Sequence, residues 1–355
     1  MTNESCKQTL LNEISQGDSR AMTELGILYA NCNDFENMKK YFLMAIGQGN
    51  SCAMSNLGYY YGKQKDYDNM KKYYLMAIEK GSSRAMHELG YYYKKQKDFE
   101  NMKKYYLMAI NKDNVDTMLS FGLYHDFHKD YENMKKYYLM AIEKGNSKAM
   151  NNLGFYYNEQ KDYENMKKYF LMAIEKGNCS SMNSIGLYYK KQNDYENMKK
   201  YFLMAIEKGY SGSMNNLGLY YEKQNDYENM RKYFLMAIEK GNSKAMNNLG
   251  LYYDNKKDYD NMKKYYLMAI EYGDFEAMKN LIKYYKKTNK CTELAKLISL
   301  HGNWFKGIGH SLIEQGAIFK KTCIDDIKIF NMLKKYIEID DIAFIIHDYN
   351  WQCIA

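Results

Sequence analysis

The amino-acid sequence predicts an all-α protein: an α/α superhelical solenoid of about nine stacked helix hairpins with a helical C-terminal cap. Three observations carry that expectation. Met22, Met54, Met86, Met118, Met150, Met182, Met214, Met246 and Met278 recur every 32 residues without one insertion, and self-similarity at such a period marks a repeat array. Each period holds two stretches with apolar residues at helical spacing, as at Ala149, Leu153 and Tyr156 or Tyr157, then at Tyr163, Met166, Phe170, Ala173 and Ile174. Pro is absent from all 355 residues, so nothing interrupts a helix.

Residues 1–18 align with the second half of a unit through Leu10, Leu11, Ile14 and Gly17, which predicts an N-terminal capping helix. Residues 19–302 form the repeat array. In each unit an Asp (Asp34, Asp66, Asp98 and onward to Asp258) opens the second helix as an N-cap, with Glu or Asp two residues later to suit the positive helix end. Gly49, Gly81, Gly145, Gly177, Gly209, Gly241 and Gly273 close it as left-handed caps. The fourth unit departs: Asp113 replaces the capping Gly and Thr117 replaces Ala, which predicts a bend or weak point. Two further Met columns, Met38 to Met262 and Met44 to Met268, have eight members each and read as core. Residues 303–355 carry no repeat; amphipathic stretches at 308–320, 324–337 and 341–347 predict a helical cap that hides the last open face.

Composition narrows the function classes. Hydrophobic residues make up 46%, but 40 Tyr lie behind that figure and mean hydropathy is -0.69, so no segment has membrane-spanning character and no membrane partner is expected. The net charge of +8 comes from Lys with only Arg20, Arg84 and Arg231, whereas nucleic-acid readers favour Arg. The first residues lack a secretory signal. Seven Cys at irregular spacing form neither a disulfide framework nor paired metal knuckles, so reduced thiols and a cytoplasmic protein are expected. Heavy use of Lys, Asn, Tyr, Ile and Met suggests an AT-rich genome, such as that of a large DNA virus or certain protists, in which case the compartment is the host cytoplasm. No phosphate loop, nucleophile elbow or HExxH occurs; the expectation is no catalytic residue, no cofactor and no metal.

The unit Ala-Met-x-x-Leu-Gly-x-Tyr-Tyr, followed by Asp-Tyr-Glu-x-Met-x-x-Tyr-Tyr/Phe-x-x-Ala-Ile-Glu-Lys-Gly-Asn, resembles Sel1-like repeats, a branch of the tetratricopeptide-like superfamily. The resemblance covers residues 2 to about 300. The link Glu175-Lys176-Gly177-Asn178 between units is Sel1-like, whereas the link within a unit lacks the longer Gly-containing loop and is similar to the tetratricopeptide form. Met70 and Met166 stand where the family usually has Ala, and Ile78 and Ile174 where it has a second Ala. What the resemblance implies is adaptor or scaffold work on a protein or peptide partner, without catalysis, with first helices lining the concave groove.

Three columns vary along the first helices. One holds Ile27, Tyr59, Tyr91, Leu123, Phe155, Leu187, Leu219, Leu251 and Lys283; another holds Thr23, Ser55, His87, Leu119, Asn151, Asn183, Asn215, Asn247 and Lys279. Apolar side chains beside a row of amides suit an extended peptide held by its backbone, so Tyr59, His87, Tyr91, Asn151, Phe155, Asn183, Leu187, Asn215, Leu219, Asn247 and Leu251 are the candidate partner-binding residues. Against this stands simple packing of both columns between adjacent first helices. The third column, from Arg20, Cys52 and Arg84 to Glu276, has mixed sign and argues against a purely acidic ligand.

The Lys-Lys pairs, from Lys39-Lys40 to Lys263-Lys264, are the alternative: a basic stripe for nucleic acid or another polyanion. A carboxylate precedes each pair at i,i+3 and i,i+4, as Glu164 precedes Lys167 and Lys168, and this neutralisation favours a solvated face. The column of Phe42, Phe170, Phe202 and Phe234 alternates with Tyr and is expected to be buried, while Tyr73 and its equivalents keep a wet edge. His125, in a column otherwise held by Tyr, reads as structural rather than as a metal ligand with His128. Cys291, His301, His310 and Cys323 read as tail packing. The function expected is a monomeric, non-catalytic interaction scaffold.

Overall fold

The computed structural model describes residues 3–300, and every regular element among them is an α-helix. The chain divides into two compact units, Met1–Ile185 and Gly186–Ala355. The first begins with α1 (Asn3–Ser15) and continues as hairpins: α2 (Ser19–Asn31) with α3 (Phe35–Gly47), α4 (Ser51–Lys63) with α5 (Tyr67–Glu79), α6 (Ser83–Lys95) with α7 (Phe99–Ile110), α8 (Val115–Phe127) with α9 (Tyr131–Glu143), and α10 (Ser147–Glu159) with α11 (Tyr163–Glu175). The unit boundary falls within α12 (Cys179–Lys191). The second unit contains α13 (Tyr195–Glu207), α14 (Ser211–Lys223) with α15 (Tyr227–Glu239), α16 (Ser243–Asn255) with α17 (Tyr259–Glu271), and α18 (Phe275–Lys287) with α19 (Cys291–Leu300). Each unit is an α-solenoid of stacked hairpins. The tail cap expected over 303–355 lies outside the described residues.

Both ends of each helix follow from local chemistry. Asp34 accepts a hydrogen bond from the Asn37 backbone N–H at 3.1 Å, and the Asn37 amide donates to its other oxygen at 2.8 Å. The same Asp-x-x-Asn clasp recurs at Asp66, Asp98, Asp130, Asp162, Asp194, Asp226 and Asp258. These side-chain amides, more than the backbone N–H groups, hold the eight carboxyls below the usual carboxylate range. The turns between hairpins close with a 6→1 bond, as Asn50 N–H to Ala45 C=O at 3.1 Å, over a Gly at positive φ. Turns within hairpins use the same bond, as Asp34 N–H to Tyr29 C=O at 2.9 Å, yet their left-handed residue is Asn or Lys: Asn33, Lys65, Lys97, Lys129, Lys161, Asn193, Asn225, Lys257 and Asn289. Asp113 takes the left-handed position in the fourth unit at φ +59°, and Lys144 Nζ reaches its carboxylate at 2.8 Å.

The hairpin core is a ring laid on a glycine. In α10, Ala149, Met150, Leu153 and Gly154 point at α11, and the Phe170 ring lies so close that a Cβ on Gly154 would sit 2.6 Å from it. The same fit joins Gly26 to Phe42, Gly58 to Tyr74, Gly90 to Tyr106, Gly122 to Tyr138, Gly186 to Phe202, Gly218 to Phe234 and Gly250 to Tyr266. Every one of these rings is buried, and burial of a Phe side chain contributes about 2 kcal/mol. The Tyr73 column stacks flat on the tyrosines of the first helices, as Tyr61 on Tyr73 at 5.5 Å and 1°. Tyr41, Tyr73, Tyr201 and Tyr233 keep a wet edge, but Tyr105, Tyr137, Tyr169 and Tyr265 are buried.

Two core expectations need correction. Met columns one and two are buried, but the third is only half-buried, and Met44 is exposed, because it lies on the flank of the second helix, away from the glycine face. Tyr163 is likewise exposed: as the first residue of α11 it precedes the turn that meets α10.

Candidate functional site

Each first helix is thirteen residues long through α18, and its 3.6-residue turn divides it into two faces. In α10, Ala149, Met150, Leu153 and Gly154 are consumed by the hairpin, whereas Lys148, Phe155 and Glu159 are exposed and Asn152 is half-buried between them. The outward face of every first helix therefore carries its second, sixth, ninth and thirteenth residues.

The apolar column occupies the ninth position. Ile27, Tyr59, Tyr91, Leu123, Phe155 and Leu251 are between 37% and 45% exposed, and Leu187 and Leu219 are half-buried. Phe155 meets the Phe170 ring of its own hairpin edge-on at 5.2 Å, and Leu187 and Leu219 pack partly against the core, so each keeps only its outer side in solvent. Lys63 lies over the Tyr59 ring at 5.3 Å and Lys95 over the Tyr91 ring at 4.8 Å, so these two tyrosines are flanked by cations.

The amide column sits elsewhere. Asn151 and Asn215 are buried, and Asn183, Asn247 and His87 are half-buried, because the fifth position of a first helix faces the neighbouring first helix. Asn151 accepts from the Ser181 hydroxyl at 2.8 Å, Asn215 from the Asn248 amide at 2.9 Å, and Asn247 from the Asn280 amide at 3.1 Å. This column ties helix to helix, as the packing alternative required. The outward polar row is one residue further on, at Asn56, Asn152, Asn216, Asn248 and Asn280. Adjacent Asn in the sequence (Asn151-Asn152, Asn215-Asn216, Asn247-Asn248) hide this one-residue offset, and only the phase of the buried Ala-Met and Leu-Gly pairs distinguishes them.

Sequence comparison and fold comparison converge on the same class. The tetratricopeptide repeat family matches at residues 53–79, 83–111, 147–175, 180–207, 211–239 and 243–272. Among solved structures, a Sel1 repeat protein from Oxalobacter formigenes has a similar fold at 18% identity and a TM-score of 0.60, over 80% of this chain and 92% of that one. The protective antigen c5321 of uropathogenic Escherichia coli, which displays an SLR fold, is similar at 22% identity and a TM-score of 0.54, over 83% of this chain and 72% of that one. The chain carries six tetratricopeptide repeats in a fold similar to that of Sel1 repeat proteins. No curated protein matches it at a significant level.

In this tetratricopeptide repeat array the Lys-Lys pairs are engaged by their neighbours. Lys71, Lys199 and Lys263 pair with Asp68, Glu196 and Asp260 at 3.3, 3.2 and 2.9 Å. The second lysines lie over the next tyrosine, as Lys104 over Tyr105 at 5.4 Å. His125 stacks on Tyr137 at 5.5 Å in place of the usual Tyr, and its Nδ1 is 2.9 Å from Asp130. Burial pushes its pKa down, and the Asp130 hydrogen bond opposes that shift. His87 is held by Thr117: the Thr117 hydroxyl donates to Asn114 at 2.7 Å, so it accepts from His87 Nδ1–H at 2.9 Å. Burial lowers the His87 pKa as well. Among the described residues no three His, Cys, Asp or Glu side chains converge as metal ligands, and no helix is long and apolar enough to cross a membrane. Cys6, Cys32 and Cys52 are exposed thiols; His301, His310 and Cys323 lie outside the described residues.

Proposed function

We propose that this protein is a non-catalytic, monomeric, cytoplasmic scaffold that holds a protein segment in extended conformation along the outward face of its first helices. Repeat folds of this superfamily are typical of protein–protein interaction scaffolds and generally non-catalytic. The observation that supports the segment-binding reading is the exposed ninth-position column, whose identity changes from Ile27 through Tyr59, Tyr91, Leu123 and Phe155 to Leu251. Second helices also expose a column, Leu43, Leu75, Leu139, Leu171, Leu203, Leu235 and Leu267, but it is Leu at every step. A varied column discriminates one partner from another; a uniform one does not. Of the sites read from the sequence, Tyr59, Tyr91, Phe155, Leu187, Leu219 and Leu251 remain the proposed contacts, with Asn152, Asn216 and Asn248 beside them, while Asn151, Asn183, Asn215, Asn247 and His87 support them from the helix interface.

The test is affinity capture from cell extract with three proteins: wild type, the Tyr59→Asp/Tyr91→Asp/Phe155→Asp variant, and the Leu75→Asp/Leu139→Asp/Leu171→Asp variant. Loss of a discrete partner by the first variant alone, at unchanged helicity, upholds the first-helix face. Equal capture by wild type and the first variant overturns it.

A further inference from the structure

The two units present different chemistry on the outward face. In the first, four carboxylates at the second, sixth and thirteenth positions (Glu24, Glu88, Asp116 and Glu159) nearly balance five cations, Lys63 and Lys95 among them. In the second, five lysines stand against one carboxylate, Glu276, which Lys279 already pairs at 2.9 Å. Lys191 and Lys223 lie one helical turn beyond Leu187 and Leu219, Lys244 lies two turns before Leu251, and Lys283 takes the place of the next apolar residue. All four lysines are exposed, and none has a carboxylate at ion-pair distance among the described residues. They differ in this from the Lys-Lys pairs of the second helices, three of which are neutralised by their own Asp or Glu. Lys190 adds to the imbalance: it is half-buried, and burial together with the Lys223 charge holds its pKa below the usual value. A carboxylate entering beside it offsets the Lys223 charge.

The apolar members here are aliphatic. Leu187, Leu219 and Leu251 offer no ring face, so the stacking on which single-stranded nucleic acids rely is missing from this stretch, and an aliphatic side chain is the matching contact. Spacing adds a further constraint. The direct bond from Asn248 to Asn215 shows that α14 and α16 are in side-chain contact, which sets their axes about 8–10 Å apart. An extended or polyproline-II chain advances about 3.1–3.3 Å per residue. One leucine per helix therefore meets every third ligand residue.

Resting on the reading that the first helices bind an extended segment, we propose that the second unit selects an acidic segment with an aliphatic residue at every third position and Asp or Glu between. The leucine row takes the aliphatic side chains, and Lys191, Lys223, Lys244 and Lys283 take the carboxylates. Asn216, Asn248 and Asn280 are half-buried between these rows, and the amide N–H groups of Asn248 and Asn280 are already donated to Asn215 and Asn247.

The experiment is fluorescence anisotropy of the full chain with labelled synthetic peptides. Leu-Asp-Glu repeated four times is compared with a peptide of the same composition whose leucines are contiguous, with Leu-Ser-Asn repeats, with Leu-Lys-Lys repeats, and with single-stranded oligouridylate. The Leu-Asp-Glu peptide is expected to bind at least about tenfold more tightly than every other probe, and to weaken as salt rises. The Lys191→Glu/Lys223→Glu/Lys244→Glu variant is expected to lose that preference, and the Lys191→Gln/Lys223→Gln/Lys244→Gln variant to reduce it, both at wild-type helicity. Equal binding of the Leu-Ser-Asn peptide overturns the acidic selectivity and leaves the segment-binding face standing. Equal binding of the contiguous-leucine peptide overturns the register. Tighter binding of the oligouridylate assigns the lysines to a polyanion and overturns the proposal, and binding of no peptide overturns it together with the segment-binding face of this unit.

Discussion

Changing Gly154 to Ala tests the ring-on-glycine contact that closes each hairpin. A Cβ at this position would lie 2.6, 2.7 and 3.0 Å from three Phe170 ring atoms, where carbon contacts are comfortable at about 3.5–4.0 Å. The ring must therefore withdraw by about 1 Å from a site in which it is 1% exposed. Overpacking a filled core by a methyl group costs about 1–3 kcal/mol, and better helix propensity offsets about 1 kcal/mol of it. The net expectation is a loss of about 1 kcal/mol. Gly47 gives the matched control: it ends α3 in helical conformation, and an added Cβ would meet nothing within 4 Å, so Gly47→Ala gains about 0.5–1 kcal/mol. Urea titration followed by far-UV circular dichroism measures both, and the midpoints should move in opposite directions. Combining Gly154→Ala with Phe170→Leu should shrink the penalty, since the ring that resists the methyl is gone. If Gly154→Ala stabilises the protein as much as Gly47→Ala, the ring slides without strain and the contact does not fix the hairpin.

Three further outcomes are expected. Lys161→Gly should stabilise by about 0.5–1 kcal/mol, because Lys161 holds φ +59° where glycine has no steric penalty, and a lowered melting temperature would refute this. Tyr106→Phe should raise the urea midpoint, since the buried Tyr106 hydroxyl has no hydrogen-bond partner, whereas Tyr138→Phe should not, because that hydroxyl donates to Asp126 at 3.4 Å. The Asp caps titrate lower in the folded than in the unfolded chain, so their stabilisation is complete above the unfolded carboxyl pKa and is lost as pH falls through the folded one; melting temperature should drop below about pH 4, and Asn165→Ala should lessen the drop contributed by Asp162.

Much of the fold was legible because the period and its punctuation are local. The Asp caps, the Gly turns and the Met150 and Met166 columns each follow from residue type and spacing, and the structure agrees with them. The turns within hairpins were less legible: Lys65 and Lys161 carry no left-handed preference, and backbone bonds hold them there, from their own N–H to a carbonyl three residues back and from the following Asp N–H to one five residues back. The candidate face was legible in its apolar column and displaced in its polar one. A 100° step separates Asn151 from Asn152, and that step decides whether the amide is buried against the next helix or half-exposed on the outward face. Identity alone does not fix the phase; the burial of Ala149 and Gly154 does. The basic character of the second unit was hidden for a related reason, since counting all lysines merges those paired with Asp68 or Asp260 with the uncompensated Lys191 and Lys223.

The helical glycines that seat a buried ring, as Gly154 seats Phe170, take it from their own hairpin, and among the described residues the glycine–ring approach that reaches into the next hairpin, Gly241 to Tyr272 at 3.1 Å, lies in a turn. A stretch of 32 residues can be cut out or copied in at any Gly turn, and the hairpins on either side keep their own closures. Array length is thus open to change by unequal recombination within the coding sequence, and a lengthened descendant gains one more readable position on its first-helix face with each copy.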